Sequence, residues 1–324
     1  MKTASLAGAA SVLLALVLTG CGQNDTPAPA GSSGSRQPAA AGSAEHPAAI
    51  AAFGSARPLE SGPWTASVRT LQEMTPPAKA SVPSGWSAAR VTVALTNTGA
   101  DIALLPDASV TVRVGELGLE TVPFTGQGAG GFPEPDAGTK VAPGDTFTAD
   151  VGVAVPPHSA GQRATVTLEA TQAGLAQADA VFFEGKMPGS PTAPASSVPE
   201  VTAAAGTKLS LGQWSPEGVR VSPLELAAED NGRREASLEL SVHNDSDEPR
   251  SGMGITVRVL FGAELTTADT VSAGLGYHDA PIAPHRTATH TVHVSLPSRA
   301  VPGPVTVDAE QRGGDRLMFE GTLR

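Results

Sequence analysis

Apolar residues recur at every second position through many short stretches of this chain, and that spacing predicts β-strands. Val91, Val93 and Leu95 fall on one side of an extended backbone, while Arg90, Thr92 and Thr96 fall on the other. Leu238, Leu240 and Val242 repeat the pattern, as do Val151, Val153 and Val155. Alternation of this kind marks antiparallel strands with one face buried. Gly, Pro and Asn punctuate the runs at short intervals, and no helical periodicity competes with them. The expected fold is all-β, with the strands arranged as sandwiches.

The pattern occurs twice. Ala89–Asn97 has a counterpart in Ala236–Asn244, and Thr111-Val-Arg-Val114 in Thr256-Val-Arg-Val259. Ala142-Pro143-Gly144 corresponds to Ala283-Pro284-His285, and Phe182-Phe-Glu-Gly185 to Met318-Phe-Glu-Gly321. Trp64 and Trp214 open the two copies. Five matches in the same order predict a duplication: one sandwich over residues 63–187 and a second over 207–324. Each is long enough to close a hydrophobic core of its own. Residues 21–62 and 188–206 are rich in Ala, Pro, Gly and Ser. They read as a disordered tether and a linker, because such sequences bury too little to offset the entropy of ordering.

The first twenty residues follow a different logic. Lys2 precedes an uncharged apolar run, Ala4–Val17, and Leu18-Thr19-Gly20-Cys21 ends it. The run is too short to span a bilayer and reads as a signal peptide over residues 1–20. Its ending resembles the lipobox of bacterial lipoproteins. That resemblance implies cleavage between Gly20 and Cys21, with diacylglyceryl alkylation of the Cys21 thiol. The mature chain would then sit on the outer face of the cytoplasmic membrane. Cys21 is the only cysteine, so no disulfide competes for it. Two acyl chains make a stable anchor.

Composition narrows the partners. The net charge is −11, from 32 acidic and 21 basic residues, with no dense basic patch. Nucleic acid is excluded as a partner, as is electrostatic adhesion to anionic lipid. Aromatics are only 4% of the chain, so the cores must be built from Val, Leu and Ala. The Ala, Gly and Pro usage suits a high-GC actinobacterium.

A strand closing on Asn97-Thr98-Gly99 is followed by a long irregular middle and then by Val141-Ala-Pro-Gly-Asp145, leading into a strand that ends Val155-Pro156. This succession resembles the immunoglobulin-like domains of unknown function found in bacterial lipoproteins. The sandwich of the secreted mycobacterial immunoprotective antigens is similar. The second copy departs from the pattern at Asp245-Ser246 and at His285. What the resemblance implies is a pair of immunoglobulin-like sandwiches; it carries no catalytic residues.

Candidate chemistry is sparse. Gly126-Gln-Gly-Ala-Gly-Gly131 fits a phosphate-loop spacing, but Phe132-Pro-Glu-Pro135 follows where a helix would have to begin, so a sandwich loop is expected. His278, His285, His290 and His293 lie close in sequence and suggest the alternative function, copper or zinc handling by the second sandwich. An odd spacing sets His290 and His293 on opposite faces of a strand, which argues against a shared metal. Asn244-Asp-Ser-Asp-Glu248 lacks the glycine and distal glutamate of an EF-hand loop and reads as a solvated acidic turn. Asp230-Asn-Gly232 is hairpin-turn chemistry. Phe132 and Tyr277 each follow a glycine-rich loop and are the candidate partner-binding aromatics. The expectation is a non-enzymatic module without cofactor or bound metal. It would be held to the membrane by lipid and would bind or scaffold an envelope protein or glycan.

Overall fold

Valine and leucine at alternate positions, with threonine between them, favour extended backbone, and the chain adopts it almost throughout. The structure is a computed structural model. It describes residues 50–60, 62–134, 137–171, 178–191, 208–226, 234–251, 254–262, 264–270, 279–296, 303–311 and 316–323. Among these residues there is no α-helix. The first module contains β1 (Ile50–Ala52), β2 (Arg57–Pro58), β3 (Trp64–Glu73), β4 (Ser87–Asn97), β5 (Ala103–Leu104), β6 (Asp107–Val114), β7 (Leu119–Glu120), β8 (Val122–Phe124), β9 (Lys140–Val141), β10 (Thr146–Val155), β11 (Arg163–Thr171) and β12 (Asp179–Lys186). The second contains β13 (Leu209–Ser210), β14 (Val219–Val221), β15 (Glu225–Leu226), β16 (Arg234–His243), β17 (Ile255–Phe261), β18 (Thr266–Thr267), β19 (Asp269–Thr270), β20 (Thr287–Leu296), β21 (Gly303–Gln311) and β22 (Arg316–Leu323).

Two separate cores confirm the all-β sandwich reading. In the first, Val68, Val91, Val93 and Leu95 meet Val112, Val166, Leu168 and Phe183. In the second, Val221, Leu238, Leu240 and Val242 meet Val257, Val259, Val307 and Phe319. The sheet order β2-β3-β4-β10-β8 makes one layer of the first module, and β13-β22-β21-β17-β18 one layer of the second. The remaining layers are continuous with each other. β1-β12-β11-β6-β7 runs on into β20-β16-β14, with β15 and β19 alongside, giving ten strands in one sheet.

The folded part of the first module begins earlier than residue 63. β1 pairs in parallel with β12, Ala51 opposite Phe183, and Ala51 and Leu59 are buried. The short apolar run Ile50-Ala-Ala-Phe53 inside an otherwise polar, proline-rich stretch is what makes this strand possible. β13 does the same in the second module, Leu209 opposite Phe319. The rest of the expected tether, 21–49, and most of the linker lie outside the described residues, as does Asp230-Asn-Gly232.

Backbone hydrogen bonds supply a residue-level correspondence between the copies. Phe53 donates to the Glu184 carbonyl as Leu211 does to Glu320, and Gly54 donates to Val68 as Gly212 does to Val221. Both Gly54 and Gly212 have φ near +87°, at 86° and 88°, a left-handed conformation that glycine adopts without steric cost. Gly185 and Gly321 are also matched. A side chain on either would overlap Phe53 or Leu211, so each glycine leaves room for the residue that closes its sandwich.

A buried asparagine organises the same corner of each module. The Asn97 amide donates to the carbonyls of Asp101 and Val141 at 2.8 and 2.9 Å, and its oxygen accepts from the Gly99 N–H. Asn244 donates to Glu248 and Ile282 and accepts from the Ser246 N–H. In each module the one side chain thus ties the end of its strand to the carbonyls of two loop segments, adding donors to buried backbone acceptors. Replacing Asn97 by Ala should cost about 3 kcal/mol, since the carbonyl it holds at Val141 is buried and would lose its donor. Urea unfolding checks this, and an unchanged midpoint would show that the corner is solvated.

The correspondence corrects two sequence matches. Thr121 donates to Val112 as Ala268 does to Val259, which makes Val112 the counterpart of Val259. The two Thr-Val-Arg-Val motifs are therefore two residues out of step. Trp64 stands on β3 opposite Asn97, whereas Trp214 precedes β14 and bridges Arg220 across the turn. Both tryptophans are buried, but they do not occupy equivalent places.

Candidate functional site

The most elaborated polar site is the joint between the modules, which belong to one compact unit. It is built from the β6–β7 hairpin of the first module and the 279–289 segment of the second. Arg113 points outward from β6, yet it is only 4% exposed because the second module covers it. Its guanidinium donates to the Ala280 and Pro281 carbonyls at 2.7 and 3.0 Å. Burial lowers its pKa, while Glu120, Asp279 and Glu169 oppose that shift. Burial likewise raises the Glu169 carboxyl, with Arg113 pulling it back. Beside them, Arg286 donates through Nε to Glu184 Oε2 at 2.9 Å. Arg163 lies 3.6 Å from the same carboxylate and 2.9 Å from Glu116.

Gly118 completes the joint. Its carbonyl accepts from the Thr289 N–H at 3.0 Å, and Thr289 Oγ1 donates to the Leu117 carbonyl at 2.6 Å. These bonds pair Leu119 with Thr289 in parallel and fuse the two sheets. Gly118 has φ 61°, and a Cβ there would overlap the Thr287 carbonyl oxygen. Sequence reasoning missed this site. Arg113 read as one more outward residue of an alternating strand, and the only signal was a glycine-flanked short turn, Gly115-Glu-Leu-Gly118.

Phe132 is folded back. Its ring stacks on Phe147 with centroids 6.3 Å apart and 29° between planes, and it packs against the first core. Tyr277, the other candidate aromatic, lies outside the described residues, together with His278, Gly20 and Cys21. The glycine-rich loop is a tight hairpin in which Gly126 and Ala129 exchange backbone bonds. Ala129 is buried over Gly152 with Phe124, Ala88 and Ala154. The outer face of this sheet is thus partly covered by loops, which is why Gly152 carries no side chain: its Cβ would come 2.5 Å from the Phe124 ring.

The histidines do not converge. His290 lies opposite Leu240 on the core side of β20 and His293 opposite Ser237 on the other side. His285 Nε2 meets Asp247 Oδ1 at 2.9 Å on the surface. Its φ of 53° is the left-handed conformation that Gly144 adopts at the matching place in the first module. Among the described residues, no group of three or more His, Cys, Asp or Glu side chains is arranged to hold a metal ion. In the acidic turn, Asn244 faces inward to the loop carbonyls, as described above.

His243 lies against Trp214, ring centroids 6.3 Å apart at 75°, and its Nδ1 is 3.0 Å from Thr287 Oγ1. Burial lowers its pKa from 6.5; Asp245 opposes this, while His285, Arg250 and Arg286 add to it. A depressed folded-state pKa gives stability that is present above 6.5 and lost as pH falls through the folded value. The thermal midpoint should therefore drop between pH 7.5 and 5 in the parent chain and drop less in His243→Gln. Equal drops in both would assign the acid sensitivity elsewhere.

Among the described residues no helix is long and apolar enough to cross a membrane. No protein-family model matches the chain, and no curated protein matches it in sequence.

Proposed function

We propose that this chain is an envelope lipoprotein, lipidated on Cys21 at the outer face of the cytoplasmic membrane. In this reading it presents two immunoglobulin-like sandwiches as a non-enzymatic binding or scaffolding module. Its partners are the membrane, through the lipid, and an envelope protein or glycan. The signal-like apolar run ending in Leu18-Thr19-Gly20-Cys21 supports the anchor. The kinship drawn earlier to bacterial lipoprotein domains and mycobacterial antigens belongs to the same proposal.

One observation carries the scaffolding half of the reading, and that is the direction of the chain through the first module. β1 runs parallel to β12, from Phe182 toward Glu184, and Glu184 is where the joint to the second module is made. The chain therefore enters the first sandwich heading toward the second. That polarity suits a protein that presents its second module beyond the first. A buried, multiply bonded joint suits presentation at a fixed angle.

Replacing Cys21 by Ser tests the anchor. The substituted chain should leave the membrane fraction for the medium or the soluble envelope fraction, and continued sedimentation with membranes would overturn the reading. Photo-crosslinking from the second module in intact cells tests the rest. Reproducible adducts to an envelope protein or glycan support scaffolding, and turnover of a small molecule by the purified chain would contradict it.

A further inference from the structure

The joint uses a hairpin that the second module also possesses. Gly115 donates to Arg163 as Gly262 does to Pro304, and Gly118 donates to Gly115 at 3.2 Å as Leu265 does to Gly262 at 3.3 Å. The backbone conformations agree as well, with φ of 78° and 61° at Gly115 and Gly118, and 71° and 52° at Gly262 and Leu265. The β17–β18 hairpin is thus the β6–β7 hairpin over again. In the first module it receives the Thr289 edge of the next sandwich; in the second, β18 is the last strand of its sheet.

A duplicated joint of this kind is heterologous. Its unused halves, the β17–β18 hairpin on one chain and the Thr146–Thr148 edge on another, would join copies head to tail into an open filament. Among the positions that differ between the used and unused halves, three changes oppose docking. Where Gly118 leaves space against the Thr287 carbonyl, Leu265 places a side chain that is 52% exposed. Leu260 replaces Arg113, so no donor meets the incoming carbonyls. Asp145, the counterpart of Arg286 by its bond to Asn97, would face Glu320, which is already held by Lys208 at 2.6 Å. Leu265 also holds a left-handed backbone, with φ 52°, which glycine adopts more readily than a residue with a side chain.

We infer that Leu260 and Leu265, with Asp145, keep the β17–β18 hairpin of one chain from docking on the Thr146–Thr148 edge of a second copy. The inference stands apart from the anchoring and binding proposal and is tested on the full chain carrying Cys21→Ser. Sedimentation should find a monomer across a concentration series. The triple variant Leu260→Arg, Leu265→Gly, Asp145→Arg should gain mass with concentration, with crosslinks between residues 262–267 and 145–148. A parent chain that forms such crosslinks, or a folded triple variant that stays monomeric, overturns the inference.

Gly118→Leu provides the reciprocal test. The second module already accommodates leucine at this turn position, so the hairpin itself tolerates the change. Hydrogen-exchange protection of the Thr289 amide should be lost. Protection equal to that of the parent would mean that leucine does not block the joint, and the inference fails.

Discussion

Phe319→Ala is expected to destabilise the second module by about 3–5 kcal/mol, the range for emptying a fully buried aromatic position. Phe319 has no exposed surface. It sits on β22 between Val307 of β21 and Leu209 of β13, so it stitches three strands of one layer and faces the opposite sheet. The module holds few aromatics, and apart from Phe261 its other large core residues are Leu, Ile and Val, each fixed by its own register. None can swing into the vacated volume without leaving its row, so the cavity should persist. Trp214 is the only tryptophan of the second module, and in a chain with Trp64 and Trp86 replaced by Phe its fluorescence in urea reads that module. An unshifted midpoint would mean that β22 is not part of a closed core. Phe183→Ala makes the matching defect in the first module, where Phe183 lies beside Ala51 instead of a leucine.

Much of this architecture was legible because strand periodicity is a local property. A row such as Val91, Val93, Leu95 declares its buried face without reference to any other part of the chain, and the rows proved to be core rows. The same periodicity explains the misalignment of the two Thr-Val-Arg-Val motifs. A shift of two residues keeps every inward side chain inward, so a pattern of period two cannot distinguish the correct register from its neighbours. Hydrogen bonds at the loops remove the ambiguity, since Thr121 and Ala268 each have one partner.

β1 was missed for the opposite reason. Three residues are too few to show a period, and their strand character comes from the β12 edge they dock against. The joint was hidden by distance in sequence: Arg113 and Pro281 are brought together only when both sandwiches are complete. An outward arginine on an alternating strand looks the same whether it meets water or another domain. Phe132 illustrates the limit for loops, because an aromatic after glycines can point either way, and the stacking on Phe147 was not readable from either segment alone.

Arg113→Met should uncouple the modules while leaving each sandwich folded. Methionine keeps most of the length and apolar volume of the arginine stem, so β6 and its neighbours have little reason to move. What is lost is two charge-assisted hydrogen bonds to the Ala280 and Pro281 carbonyls, worth about 1.5–3 kcal/mol each. Against this, a guanidinium no longer has to be desolvated, and apolar replacements of buried charges are sometimes neutral for that reason. Here the balance favours loss. The acceptors are backbone carbonyls that stay in the joint and cannot be substituted away, and Glu169, already raised by burial, would lose the cation that opposes its protonation. A net weakening of the coupling by about 2–4 kcal/mol is expected. In calorimetry the parent should unfold in one transition and the variant in two, and Phe319→Ala should then lower only the second module's transition. If the variant keeps a single unshifted transition, the Gly118–Thr289 pairing and the Glu184–Arg286 bridge suffice to hold the joint, and Arg113 only fills space between them.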